Sequence, residues 1–306
     1  MQHFHKILVA LDGTDIDKEL IYAASVISQM DDTRQIDFIN VVKDVNVPKA
    51  IRAEFPNIIK DAIKERKADM GRKIEQYFDN EKIKIKIDIG SGSPTKTILK
   101  YSAKQDIDLI IMGRKNERPG GGVIINRIAR RAACSLMILP KGFNKKIENI
   151  LVPIDFSAPS LDSLNQTIKL ANIGAPDVTI VPQNIYQVPS GYHYTGNTYK
   201  EFAKIMEENA KKEYVKFEKS FIKTSLKIKP LYTLDRHEDI IATISKTGME
   251  KHIDGIVISA KGLTSATALF LGSKAEKLIQ FDLDIPLVVL RPKGKLSGIL
   301  DYLKKI

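Results

Sequence analysis

Ile7-Leu8-Val9-Ala10-Leu11-Asp12 returns as Ile150-Leu151-Val152-Pro153-Ile154-Asp155, about 145 residues later. Asp108-Leu109-Ile110-Ile111-Met112-Gly113 returns, in the same order, as Asp254-Gly255-Ile256-Val257-Ile258-Ser259. A repeat of domain size reads as two copies of one fold, because a solenoid would have a period several-fold shorter. Each copy opens on a short continuous apolar run, the pattern of a strand buried on both faces. After Asp12-Gly13-Thr14, the residues Ile16, Leu20, Ile21, Ala24 and Ile27 recur at helical spacing, with Thr14 or Asp15 placed to cap the helix. Further strands are expected at 36–42, 82–89, 108–113 and 136–139, with a basic helix over 56–79 and another opening at Ser93-Pro94. The second copy predicts strands at 150–155, 178–181, 226–232, 253–259 and 287–290, a helix opened by Ser157-Ala158-Pro159, and a long charged helix over 202–221. Strands alternating with helices give the fold class: α/β, two tandem Rossmann-like domains, each a five-stranded parallel sheet with helices on both faces. The expected boundaries are 1–142 and 147–294, joined by a short polar link, with 295–306 as a helical C-terminal tail.

A chain of 306 residues, 43% hydrophobic and 28% charged, has room for two soluble domains, each with its own core. No run approaches about 18 uninterrupted apolar residues, so no membrane span is expected. The first residues run straight into a strand with no leader pattern, and the single Cys134 suits a reducing compartment, so a cytoplasmic protein is expected. The net charge is +11, with 27 basic against 19 acidic residues in 1–146 and 21 against 18 in the rest. The excess sits in the first half, which points either to an anionic partner or to a solvated lysine-rich surface. Lys82, Lys84 and Lys86 alternate with isoleucines as on one wet strand face. Without Trp, and with few aromatics beside the lysines, nucleic acid is not the expected partner. His193, His237 and His252 share no metal-ligand spacing, so no metal centre is expected.

In open parallel sheets, ligands bind beyond the carboxyl ends of the strands, where the winding direction reverses. Asp12 and Asp155 stand at the end of strand one, and Gly113 and Ser259 at the end of strand four. After Ser259 come Gly262, which lets backbone approach a ligand, and Gly272-Ser273, which opens the last helix. The free N–H groups of that helix and the Ser273 hydroxyl suit a phosphate. The plainer alternative is a turn at Gly272 and a helix cap at Ser273.

These residues carry a resemblance over nearly the whole chain. The layout resembles the universal stress protein family in tandem form, whose nucleotide-binding members show a strand ending in Asp and then Gly-x-x-Gly-(x)9-Gly-Ser/Thr after strand four. Gly92-Ser93-Pro94-Thr95-Lys96-Thr97-Ile98 also matches the family's Gly-x-Pro turn. The resemblance implies ATP with Mg²⁺ bound by Asp155, Ser259, Gly262, Gly272 and Ser273 in the second half. It implies a weaker site of Asp12, Val41, Gly113, Gly122 and Val123 in the first. Each half departs from the pattern. Ser259 stands for the family's first Gly, and 233–237 replace the Gly-x-Pro turn. In the first half Asn116 stands for the second Gly, Val123 for the hydroxyl residue, and the loop is about four residues short. Arg114, Lys115 and Arg118 leave open an anion site of other geometry. The resemblance further implies an intramolecular pseudo-dimer of the two domains, with a homodimer possible. Beside a nucleotide-responsive stress or signalling module stand two alternatives: a ligand-free interaction protein of the same fold, and an ATP-hydrolysing or adenylating enzyme. The enzyme reading lacks a Ser-Gly-Gly-x-Asp-Ser loop, a P-loop and any evident general base, so at most slow ATP hydrolysis is expected.

Overall fold

The computed structural model describes residues 3–42, 54–79, 82–114, 121–143, 146–260, 271–281 and 283–291. The first half is built from β1 (Lys6–Leu11), α1 (Asp17–Met30), β2 (Gln35–Val42), α2 (Ile58–Tyr77), β3 (Lys84–Ser91), α3 (Pro94–Lys104), β4 (Leu109–Arg114), α4 (Gly121–Arg131) and β5 (Ser135–Pro140). Its strands lie in the order β3-β2-β1-β4-β5, all parallel. The apolar runs of β1 and β4 are buried because α1 and α2 cover one face and α3 and α4 the other: Ile7, Leu8, Val9, Ile110 and Ile111 have no exposure. The order reverses between β1 and β4, so the carboxyl ends of these two strands flank the crevice.

The second half follows the same plan with β6 (Asn149–Ile154), α5 (Ala158–Gly174), β7 (Thr179–Tyr186), α6 (Tyr199–Phe217), β8 (Lys227–Ile228), β9 (Leu231–Leu234), α7 (Ile240–Glu250), β10 (Gly255–Ser259), α8 (Ser273–Gln280) and β11 (Leu287–Leu290). Its order is β11-β10-β6-β7-β8, with β9 also on β7, again all parallel. The chain is thus two tandem Rossmann-like α/β domains. The expected tail, 295–306, lies outside the described residues.

Three details differ from the sequence expectation. The cap position of α1 is Ile16, not Thr14 or Asp15, and makes no side-chain cap bond. The Thr14 hydroxyl is engaged by Asp12 instead. The third strand of the second half is split into β8 and β9 around Pro230, although the register on β7 is unchanged from Ile180↔Ile228 to Gln183↔Leu231. Pro182 faces this gap. Ile180 accepts from Lys229 N–H, so by alternation Pro182 turns its missing N–H toward the same strand. Finally, β7 runs on to Tyr186, because its ladder with β6 continues to Asn184 and its ladder with β9 to Tyr186.

A polar cluster fastens α3 to the sheet. Asp37 on β2 is fully buried, accepts from Gln35 Nε2 at 2.7 Å, and lies 3.0 Å from the Tyr101 hydroxyl. The same hydroxyl lies 3.0 Å from Asp88 on β3. Burial and the two carboxylates push the Tyr101 phenol well above its usual range. Tyr101→Phe leaves Asp37 buried with one donor fewer, and should cost about 1–3 kcal/mol in urea unfolding; an unchanged midpoint would refute this role.

Candidate functional site

The same turn ends the first strand of each half. Asp12 Oδ1 accepts from Thr14 N–H at 3.1 Å and from the Thr14 hydroxyl at 2.5 Å. Asp155 Oδ1 accepts from Ser157 N–H at 3.2 Å and from the Ser157 hydroxyl at 2.5 Å. The turn puts the intervening residue in the left-handed region: Gly13 at φ +83° and Phe156 at φ +60°. Glycine takes this conformation freely, whereas a bulky residue there is strained. Phe156 is held by an edge-to-face contact with Phe217 at 5.5 Å. A buried asparagine secures the strand end in each half: Asn40 Nδ2 donates to Leu11 O at 2.9 Å, and Asn184 Nδ2 to Ile154 O at 3.2 Å. The sequence reading missed these asparagines, although their matched positions at the end of strand two were a readable signal. The match also sets Ile185 opposite Val41.

In the first half, Asp17 is buried and accepts from the N–H groups of Asp12 and Gly13, both at 3.0 Å, with Lys73 Nζ 3.6 Å away. Burial pushes its carboxyl up and Asp12 adds to this, against the two N–H donors and Lys73. Gly113 faces Ile16: a Cβ added there would meet Ile16 Cδ1 at 2.6 Å. The chain's own isoleucine thus fills the space beside this glycine. Gly92, at φ +92°, makes the turn before α3, and its N–H donates to Val42 O at 3.0 Å. Arg114 is 5% exposed, so this cation is part of the core. Lys115, Asn116 and Arg118 lie outside the described residues.

The last helices can be aligned by their buried faces. Ile125, Ile128 and Ala129 of α4 correspond to Ala275, Leu278 and Ile279 of α8. This sets Gly122 and Val123 opposite Gly272 and Ser273. However, α4 starts at Gly121, so Gly122 and Val123 lie within its first turn, while Gly272 caps α8. Val123 is exposed.

In the second half, the structure brings Asp155 and Ser259 to the ends of adjacent strands. The β6–β10 ladder stops at Leu151↔Ile256, whereas β1–β4 continues to Ala10↔Met112. Pro153 stands where the first half has Ala10, and strand alternation turns its missing N–H toward β10. Gly272 donates to Ala260 O at 2.8 Å and closes the loop that precedes α8. Its φ is −63°, a conformation open to any residue, so it is not a glycine-specific turn. Ser273 is exposed, and neither its hydroxyl nor the N–H groups of Ser273, Lys274 and Ala275 have a partner among the described residues. Gly262 lies outside the described residues. Where the family shows the Gly-x-Pro turn, Asp235 organises the chain instead. It accepts from His237 N–H and Asp239 N–H, each at 3.2 Å, and from Gln187 Nε2 at 2.9 Å. Among the described residues, no group of three His, Cys, Asp or Glu could hold a metal ion, and no helix is long and apolar enough to cross a membrane.

Burial raises the Asp235 carboxyl, but Gln187, the two N–H donors and Thr243 outweigh it and hold its pKa below the usual value. Its contribution to stability is therefore present above about pH 4 and lost as the pH falls through the lower folded-state value. Acid unfolding should be steeper below about pH 4 for the parent than for Asp235→Asn; parallel curves would refute the assignment.

A solved protein from Pseudomonas aeruginosa PAO1 is 13% identical with a TM-score of 0.61, covering 99% of this chain and 98% of that one. A universal stress protein from Archaeoglobus fulgidus is 15% identical with a TM-score of 0.59, covering 94% and 97%. These likenesses establish the fold. A universal stress protein of Methanocaldococcus jannaschii is 24% identical over 144 residues, which is 45% of this chain and 83% of that protein. The Universal stress protein family matches residues 3–140 and again 146–291, so this chain belongs to that family and carries its domain twice.

Proposed function

We propose that the chain is a nucleotide-responsive stress or signalling module whose second half binds ATP with Mg²⁺. The observation that supports this reading is the difference between the two crevices. In the first, Ile16 fills the space beside Gly113 and Val123 occupies the hydroxyl position. In the second, the Ser273 hydroxyl and the first N–H groups of α8 have no partner among the described residues, at the positive end of the helix dipole. The phosphates would lie there. Asp155 keeps its Oδ2 outside the turn hydrogen bonds, as an acceptor for the base or ribose. With no cluster of metal ligands among the described residues, Mg²⁺ would be held chiefly by the phosphates. The role is binding, without a catalytic step assigned.

Calorimetry with MgATP should show one site per chain. Gly272→Ala and Ser273→Ala should weaken binding, since one adds a Cβ at the cradle and the other removes a donor. Ser273→Ala should leave the unliganded stability within about 0.5 kcal/mol, because Ser273 makes no cap bond, and Gly272→Ala should cost up to about 1 kcal/mol, because Gly is favoured over Ala at a helix cap. Absence of heat with the parent, or unchanged affinity in both variants, would remove the nucleotide from the proposal.

A further inference from the structure

The first half carries an unused cation and an unused apolar stripe on one helix face. In α2, Ile59, Ile63, Arg66, Met70 and Ile74 follow at steps of four, three, four and four, which places them in one row. At the lower end Met70 and Ile74 are buried against the domain. Arg66 comes next: its Nη1 lies against Gly13, 2.5 Å from where a Cβ would be, at the lip of the first crevice. Arg66 makes no hydrogen bond or ion pair among the described residues. Beyond it the row overruns the domain. Every residue from 54 to 65 is exposed, including Phe55 at 51%, Ile58 at 41%, Ile59 at 43% and Ile63 at 39%. A contiguous exposed apolar stripe of this kind marks a binding surface.

The charges around the stripe narrow the occupant. A second copy of the chain is disfavoured by +11 on each partner. Lys60, Lys64 and Lys67 follow one side of the stripe and Glu65 and Asp69 the other, so the helix is mixed in sign around it and presents no flat cationic face to a bilayer. The unpaired guanidinium is half-buried, so it suits a single anionic group entering from the stripe. Asp17 nearby does not cancel it, since Asp17 is already matched by two N–H donors and Lys73. From Arg66 to Ile58 the helix rises about 12 Å.

We infer that the first half binds a free amphipathic anion, with its carboxylate or phosphate head on Arg66 and its alkyl chain along Ile63, Ile59 and Ile58. This site replaces the nucleotide cradle that the first half has remodelled. It is independent of ATP binding by the second half, which Arg66 variants leave intact. Calorimetry with monomeric dodecanoate should show one site per chain. Arg66→Ala should lower the affinity about tenfold or more, and Arg66→Lys less. The double variant Ile59→Asn/Ile63→Asn should lose binding to a similar degree, and inorganic phosphate should bind far more weakly than dodecanoate. Both positions lie outside the core, so circular dichroism should show parent-like melting. Absence of heat with dodecanoate, parent-like affinity in either the Arg66→Ala or the double variant, or binding to phosphatidylglycerol vesicles without binding to monomeric dodecanoate would each overturn the inference.

Discussion

The carboxylate that ends the first strand governs each half of this molecule. By accepting both the N–H and the hydroxyl of the residue two positions on, Asp12 and Asp155 turn the chain out of the sheet and aim the next helix. The turn demands a left-handed residue between them. Gly13 meets that demand without strain. Phe156 meets it at a cost of about 1–3 kcal/mol, offset by its packing on Phe217. The turn also leaves each aspartate at the lip of the crevice between strands one and four, where the sheet's winding reverses.

On this shared backbone the two crevices have diverged through a few side chains. Four residues beyond the aspartate the halves carry Ile16 and Pro159, and at the end of strand four Gly113 and Ser259. The first half pairs a large residue with the smallest one, and Ile16 takes up the space. Two residues before the aspartate, Ala10 keeps the first ladder continuous, while Pro153 ends the second one early, at the crevice. The phosphate end differs as well: Val123 inside a first turn against Ser273 directly after a cap.

The basic excess of the first half has a local counterpart. A part of it lies on α2, which carries six Lys and Arg against four Asp and Glu and whose apolar row runs on from the core into solvent. That face changes character along its length, from the buried Met70 and Ile74, through Arg66 at the crevice lip, to isoleucines in solvent. The corresponding long helix of the second half ends instead in Phe217, against Phe156. Exchanging Gly13 with Arg66 for Phe156 with Phe217 makes one lip cationic and the other aromatic.

The architecture was legible in the residues. Apolar runs that end in aspartate, repeated in order with helical patterns between them, leave few parallel topologies open, and the family motifs narrowed these to one. The strand-end aspartates and the cap at Ser157 were likewise readable, because local hydrogen bonding depends on neighbours in the chain. Tertiary structure alone decided that Ile16 fills the space beside Gly113. That Gly113 makes room for Ile16 depends on two segments about a hundred residues apart meeting across the sheet. That Arg66 reaches Gly13 while Ile63 and Ile59 of its row stay in solvent depends on how α2 packs on the sheet. Spacing along a chain records which residues share a face; the space left over, and the charge left unpaired, exist only once the faces have met.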